Sequence, residues 1–160
     1  MAAARRVGLV LCPDFDFMGL AVTSPFEMAN WYAGERLYDV RLLSEQGGRL
    51  RAGLGADVAT EPLAEPDAFD TVLVAAGVGI PTTAPGLAAY IRAAAQSTRR
   101  LAGLCLGAFI LADAGLLDGR RATTHWYFAP QFRARYPACK LDVDKIYIAD
   151  DNIWTSAGMS

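Results

Sequence analysis

At 160 residues the chain is long enough to bury one sizeable core, and 53% hydrophobic against 20% charged residues excludes a disordered polymer. A formal net charge of −2 leaves no basic excess for gripping nucleic acid within this stretch. The apolar run after Arg6 reaches only from Val7 to Cys12 before Pro13, too short for a secretory leader or a membrane span, so a cytoplasmic location without a membrane partner is expected.

"VGLVLC" (Val7–Cys12) predicts a buried strand stopped by Pro13. "MGLAVTSPFEMANWYAG" then predicts one helix, interrupted at Pro25 and stopped at Gly34. Tyr38–Ser44 predicts a strand, Gln46-Gly47-Gly48 a turn, and "ADVATEPL" a further short strand. "DTVLVAAG" (Asp70–Gly77) is a strong buried strand running into the loop "GVGIP". "APGLAAYIRAAAQSTRR" follows as an amphipathic helix with Leu87, Tyr90, Ile91 and Ala94 on one face.

"LAGLC" predicts another strand, "LGAFILADAG" a helix ended by Gly115, and "RRATT" a short strand. Thr124 is placed to cap a helix starting at His125, and "KIYIADDNIWTS" predicts two strands around an Asp-Asp-Asn turn. Alternating strands and helices predict an α/β fold with a mostly parallel sheet covered on both faces. The chain shows no linker, so residues 1–160 are read as one domain.

Gly103-Leu104-Cys105-Leu106-Gly107 has the spacing of a nucleophile elbow, with cysteine in place of serine. The glycines would let strand and helix approach around a strained residue, and the start of the next helix would favour thiolate. The Leu106 N–H and one from the Gly77-Val78-Gly79 loop would serve as oxyanion donors. Cys105 could equally be a small core residue, since cysteine is often buried. His125, the single histidine, follows the next short strand and could reach the same pocket, or be structural.

Cys12 reads as core and Cys139 as incidental; with Cys105 they are irregularly spaced and form neither a disulfide framework nor a metal-ligand pattern. Trp31, Trp126 and Trp154 read as core packing, the arginines of "STRR" and "GRRATT" as solvated ends, and the aspartates from Asp142 to Asp151 as turn residues rather than a metal site. No cofactor is indicated.

"DTVLVAAGVG", "LAGLCLGAFILADAGLLDGRRATTHW" and "NIWTSAG" together resemble the ThiJ/PfpI superfamily, which is glutamine-amidotransferase-like. "PFEMANWYAGERLYDVRLLSEQGG" further resembles the amino-terminal domain of AraC-family transcription regulators, through Ala29-Asn30 and the strand opened by Tyr38. The resemblance implies a flavodoxin-like three-layer sandwich, with Cys105 and His125 as the family's elbow cysteine and histidine. It also implies that related chains continue past "TSAG" into one more helix, expected to be lacking here, and that a helix-turn-helix DNA-binding domain lies beyond residue 160. Three positions depart from the enzymes of the superfamily: Ala21 stands where their acid does, Ala76 where paired glycines are usual, and Tyr127 where amidotransferases carry a carboxylate.

The first functional reading is therefore a ligand-sensing and dimerisation domain of an AraC-type regulator, without turnover. It would bind a small-molecule effector in a pocket lined by Cys105, His125, Gly77, Val78, Leu106 and Trp126, work as a homodimer, and leave DNA to the other domain. The alternative is a cysteine-dependent hydrolase or lyase, similar to isonitrile hydratases or deglycases, with Cys105 as nucleophile and His125 as proton shuttle. Redox sensing by Cys105 is a third reading.

Overall fold

In the computed structural model, which describes residues 3–158, eight strands form one sheet. They are β1 (Arg5–Leu11), β2 (Tyr38–Ser44), β3 (Gln46–Arg51), β4 (Asp57–Pro62), β5 (Thr71–Ala75), β6 (Arg100–Leu104), β9 (Tyr147–Asp150) and β10 (Ile153–Ser156). Their order is β3-β4-β2-β1-β5-β6-β10-β9, parallel throughout except for the outermost pairs β3–β4 and β9–β10. A separate parallel pair joins β7 (Arg121–Ala122) to β8 (Lys140–Leu141). The helices are α1 (Ser24–Ala33), α2 (Pro85–Ser97), α3 (Gly107–Asp113) and α4 (Ala129–Arg135).

Alternation along the central strands sends side chains to two cores. Val10, Val72 and Val74 join Leu87 and Ile91 of α2 and Phe109 of α3 on one face, where Phe109 meets Phe132 of α4 edge-on at 4.8 Å. Leu9, Leu11, Leu73 and Ala75 face the other way, under Leu20, Val22 and Phe26. Burial on both faces is why these strands read as continuous apolar runs. The mostly parallel α/β architecture with helices on both faces is thus as expected.

Several local expectations are corrected. The first long helix is two elements, a 3-10 turn (Phe17–Thr23) and α1, with Pro25 in the first turn of α1. Proline has no N–H to give and fits the start of a helix, so it opens α1 rather than interrupting it. Gln46-Gly47-Gly48 is not a turn but the start of β3; a Cβ on Gly47 would lie 2.6 Å from Pro62 N, so the glycine marks close approach to β4. Helix α2 ends at Ser97, and Arg100 already belongs to β6. Trp31 and Trp126 are exposed, at 72% and 67%, rather than core residues, whereas Trp154 is half-buried.

The Asn30 and Tyr38 feature has a structural cause. Asn30 Oδ1 accepts from the Leu37 and Tyr38 N–H groups, each at 2.8 Å, and its Nδ2 donates to Tyr38 O at 2.8 Å. One side chain on α1 thereby holds the entry to β2.

Asp70 plays the matching part at β5. The Arg99 guanidinium donates to both its carboxylate oxygens, at 2.9 and 2.8 Å, and holds the carboxyl below its ordinary range. A depressed carboxylate stabilises the fold above its unfolded pKa of about 3.9, and that stability is lost as pH falls through the lower folded value. Urea midpoints followed from about pH 5 downward are therefore expected to fall more steeply for the native chain than for Asp70→Asn. Equal slopes would remove Asp70 from the acid response.

Candidate functional site

The turn between β6 and α3 is a true elbow. The predicted strand stops at Leu104, because Cys105 takes φ 53°, a left-handed conformation unusual for a side-chain-bearing residue. The flanking glycines permit it: a Cβ on Gly103 would lie 2.8 Å from Ala108 N, and one on Gly107 only 2.3 Å from Val74 O. The Cys105 N–H donates to Ser156 O at 3.1 Å, and Thr124 Oγ1 donates to Cys105 O at 3.0 Å. Both neighbouring segments thus pin the elbow backbone.

The chemistry expected at this elbow is only partly assembled. Burial pushes the Cys105 thiol above its ordinary range; a backbone hydrogen bond from Leu106 opposes the rise, and the negative charge of Asp16 adds to it. The expectation of a helix-stabilised thiolate is corrected accordingly. Helix α3, at seven residues, is also shorter than the sequence suggested. No hydrogen bond joins Cys105 Sγ to His125 or to any carboxylate among the described residues.

Nor does Thr124 cap a helix at His125. His125 caps the 3-10 turn Trp126–Phe128 itself, its Nδ1 accepting from Tyr127 N–H at 3.2 Å, and α4 begins only at Ala129. The imidazole stacks on Trp126 with ring centroids 5.7 Å apart. Ala21 lies exposed in the first 3-10 turn; Asp16, which caps that turn, is the carboxylate whose field reaches Cys105.

The other cysteines are less available still. Burial and Glu45 push Cys12 up to about 12, and burial and Asp118 push Cys139 up to about 11. All three thiols are expected to resist iodoacetamide at neutral pH, with labelling rising only in alkaline solution. Mass spectrometry of timed samples reads this directly; prompt labelling of Cys105 at pH 7 would restore the reactive-thiol reading.

Of the sequence-chosen pocket residues, Gly77 and Val78 line a cavity of about 360 Å³ together with Cys12, Pro13 and Asp14. A second cavity of about 260 Å³ shares Cys12 and Pro13 and adds Glu45, Leu50 and Leu87. Cys105, Leu106, His125 and Trp126 line neither. Cys12 was read only as core. The signal for its second role is its place at the carboxyl end of β1, directly before a Pro-Asp stop. Among the described residues, no group of three His, Cys, Asp or Glu side chains could hold a metal ion, and no helix is long and apolar enough to cross a membrane.

Residues 7–160 match the DJ-1/PfpI family. The chain belongs to that family. Among DJ-1/PfpI relatives, the HTH-type transcriptional regulator GlxA of Rhizobium meliloti (strain 1021) is 36% identical over 138 residues, covering 83% of this chain and 42% of that protein. The chain therefore spans under half the length of this regulator. Isonitrile hydratase of Pseudomonas putida is 34% identical over only 74 residues, 44% of this chain and 30% of the enzyme. The crystal structure of an AraC family transcriptional regulator from Pseudomonas putida superposes with a TM-score of 0.83 at 23% identity, covering 97% of this chain and 84% of that one. At that identity the likeness establishes the DJ-1/PfpI fold.

Proposed function

We propose that this chain is the ligand-sensing and dimerisation domain of an AraC-type transcriptional regulator, acting without turnover at Cys105. The observation that carries the reading is at the elbow, where a strained, buried thiol has no carboxylate hydrogen-bonded to its sulfur. Likeness to GlxA over most of this chain supports it, as does the short reach of the isonitrile hydratase match. DNA is contacted by a helix-turn-helix domain outside these residues, and the regulator works in the cytoplasm. Helix α1 has no fully buried residue and exposes Trp31 and Tyr32, which supports a homodimer formed through it. In this reading Gly77 and Val78 form part of the effector site's wall, while Cys105, Leu106, His125 and Trp126, expected there from the sequence, lie outside its lining.

The test is operator binding by the full regulator. Its effector is expected to change operator affinity by about 5–150-fold, and Cys105→Ala to preserve that factor. A second reading, a cysteine-dependent hydrolase or lyase, is favoured by the φ of 53° at Cys105. There the sulfur would attack a carbonyl or isonitrile carbon, with its proton passing to His125. Turnover of such a compound by the native chain and none by Cys105→Ala would establish that reading instead.

A further inference from the structure

The sheet order places β2 and β4 on one side of β1, and β5, β6 and β10 on the other. The winding of the chain therefore reverses between β1 and β5. Loops leaving two such strands turn to opposite faces and open a crevice at the strands' carboxyl ends. Here that crevice is the 360 Å³ cavity between Cys12–Asp14 and the loop from Gly77.

Its floor is firmly built. A Cβ on Gly77 would lie 2.4 Å from Asp14 O, Phe15 pairs with Gly77 across the gap, and Asp16 N–H donates to Ala76 O at 3.1 Å. The 260 Å³ cavity lies on the β2 side and is also lined by Cys12 and Pro13, with Leu50 and Leu87 as apolar walls. The two cavities thus share one pair of wall residues.

Charge selects the ligand. The only lining residues that carry charge are Asp14 in one cavity and Glu45 in the other; no Lys, Arg or His lines either. Neither carboxylate takes part in a salt bridge among the described residues. The Cys12 thiol between them stays neutral and adds no compensating charge. An anion entering here meets two uncompensated negative groups, whereas a cation meets complementary ones.

We infer that the two cavities are lobes of one binding site for a small organic cation, its ammonium group facing Glu45 and its apolar part lying against Leu50 and Leu87. The use of this site for sensing rests on the regulator reading above; the binding itself does not. The site lies at the β1–β5 reversal, beside the elbow and separate from Cys105 and His125.

The test is an amide NMR titration of the chain with n-butylammonium chloride, set against sodium butyrate. Saturable shifts are expected at Cys12, Asp14, Glu45 and Gly77 with the ammonium salt and none with butyrate. Glu45→Gln is expected to weaken the ammonium salt by about fivefold, the scale of one partly exposed charge pair, and Glu45→Lys to shift preference toward butyrate. Absence of saturable shifts with the ammonium salt, equal binding of butyrate, or shifts centred on Leu106 and His125 would overturn the site. Those outcomes leave the regulator reading standing if the full regulator still answers an effector at its operator. Ammonium binding in a full protein whose operator affinity no effector changes would instead keep the site and remove the regulator reading.

Discussion

Gly107→Ala is expected to destabilise the fold by about 3 kcal/mol or more, enough to prevent folding of a marginal domain. Propensity alone gives the opposite sign, since alanine exceeds glycine in a helix by about 1 kcal/mol. The environment reverses it: the new methyl would lie 2.3 Å from Val74 O, a backbone atom in the fully buried strand β5. Val74 is paired with β1 at Val10 and with β6 at Gly103, so it cannot retreat without disturbing three central strands. Gly115→Ala is the control. Gly115 has φ 76° and open space around its Cα, so strain of about 1 kcal/mol is expected there. Urea unfolding of both variants separates the two causes, and a Gly107→Ala protein as stable as Gly115→Ala would show that the elbow yields.

Asp113→Ala is expected to lower stability by about 2–3 kcal/mol through the loss of a part-buried cluster. The Asp113 carboxylate, 15% exposed, accepts from Thr83 Oγ1 at 2.7 Å, Arg135 Nη2 at 2.7 Å and Tyr136 OH at 2.5 Å. Arg135 is 47% exposed, so its pair with Asp113 is largely screened and contributes the smaller share. The larger share comes from Tyr136 and Thr83, whose hydroxyls would lose their acceptor. Burial and the Asp113 hydrogen bond both push the Tyr136 phenol above its ordinary range, so it stays a donor. The clamp joins the loop before α2 to α3 and to the end of α4. Tyr136→Phe is expected to reproduce part of the loss with an unchanged denaturant slope. A loss below about 0.5 kcal/mol for Asp113→Ala would mean that water replaces the carboxylate at little cost.

Neither Asp113 nor the two-lobed site was legible in the sequence. Thr83 and Tyr136 lie 30 and 23 residues from Asp113, and no spacing rule joins them. Asp14, Glu45 and Gly77 are likewise remote in sequence, and their loops share one edge of the sheet because three parallel strands end on one side. The His125 and Thr124 roles were exchanged for a related reason. Thr124 sits where a cap belongs, but its hydroxyl reaches back to Cys105 O instead. The strand β3 was hidden because Gly47 and Gly48 look like a turn when the proximity of Pro62 is unknown.

What the sequence by itself determined was local. The apolar runs of β1 and β5 declare strands buried on both faces, Gly34 ends α1 at φ 65°, and Gly-x-Cys-x-Gly announces a strained elbow. These signals are carried by periodicity and by the allowed backbone angles of single residues. The tertiary structure alone set the surroundings of that elbow. The protonation of Cys105 depends on burial and on the field of Asp16, which reach it through space rather than along the chain. It also decided where the cavities lie, because a cavity belongs to the order of the strands and not to any one of them.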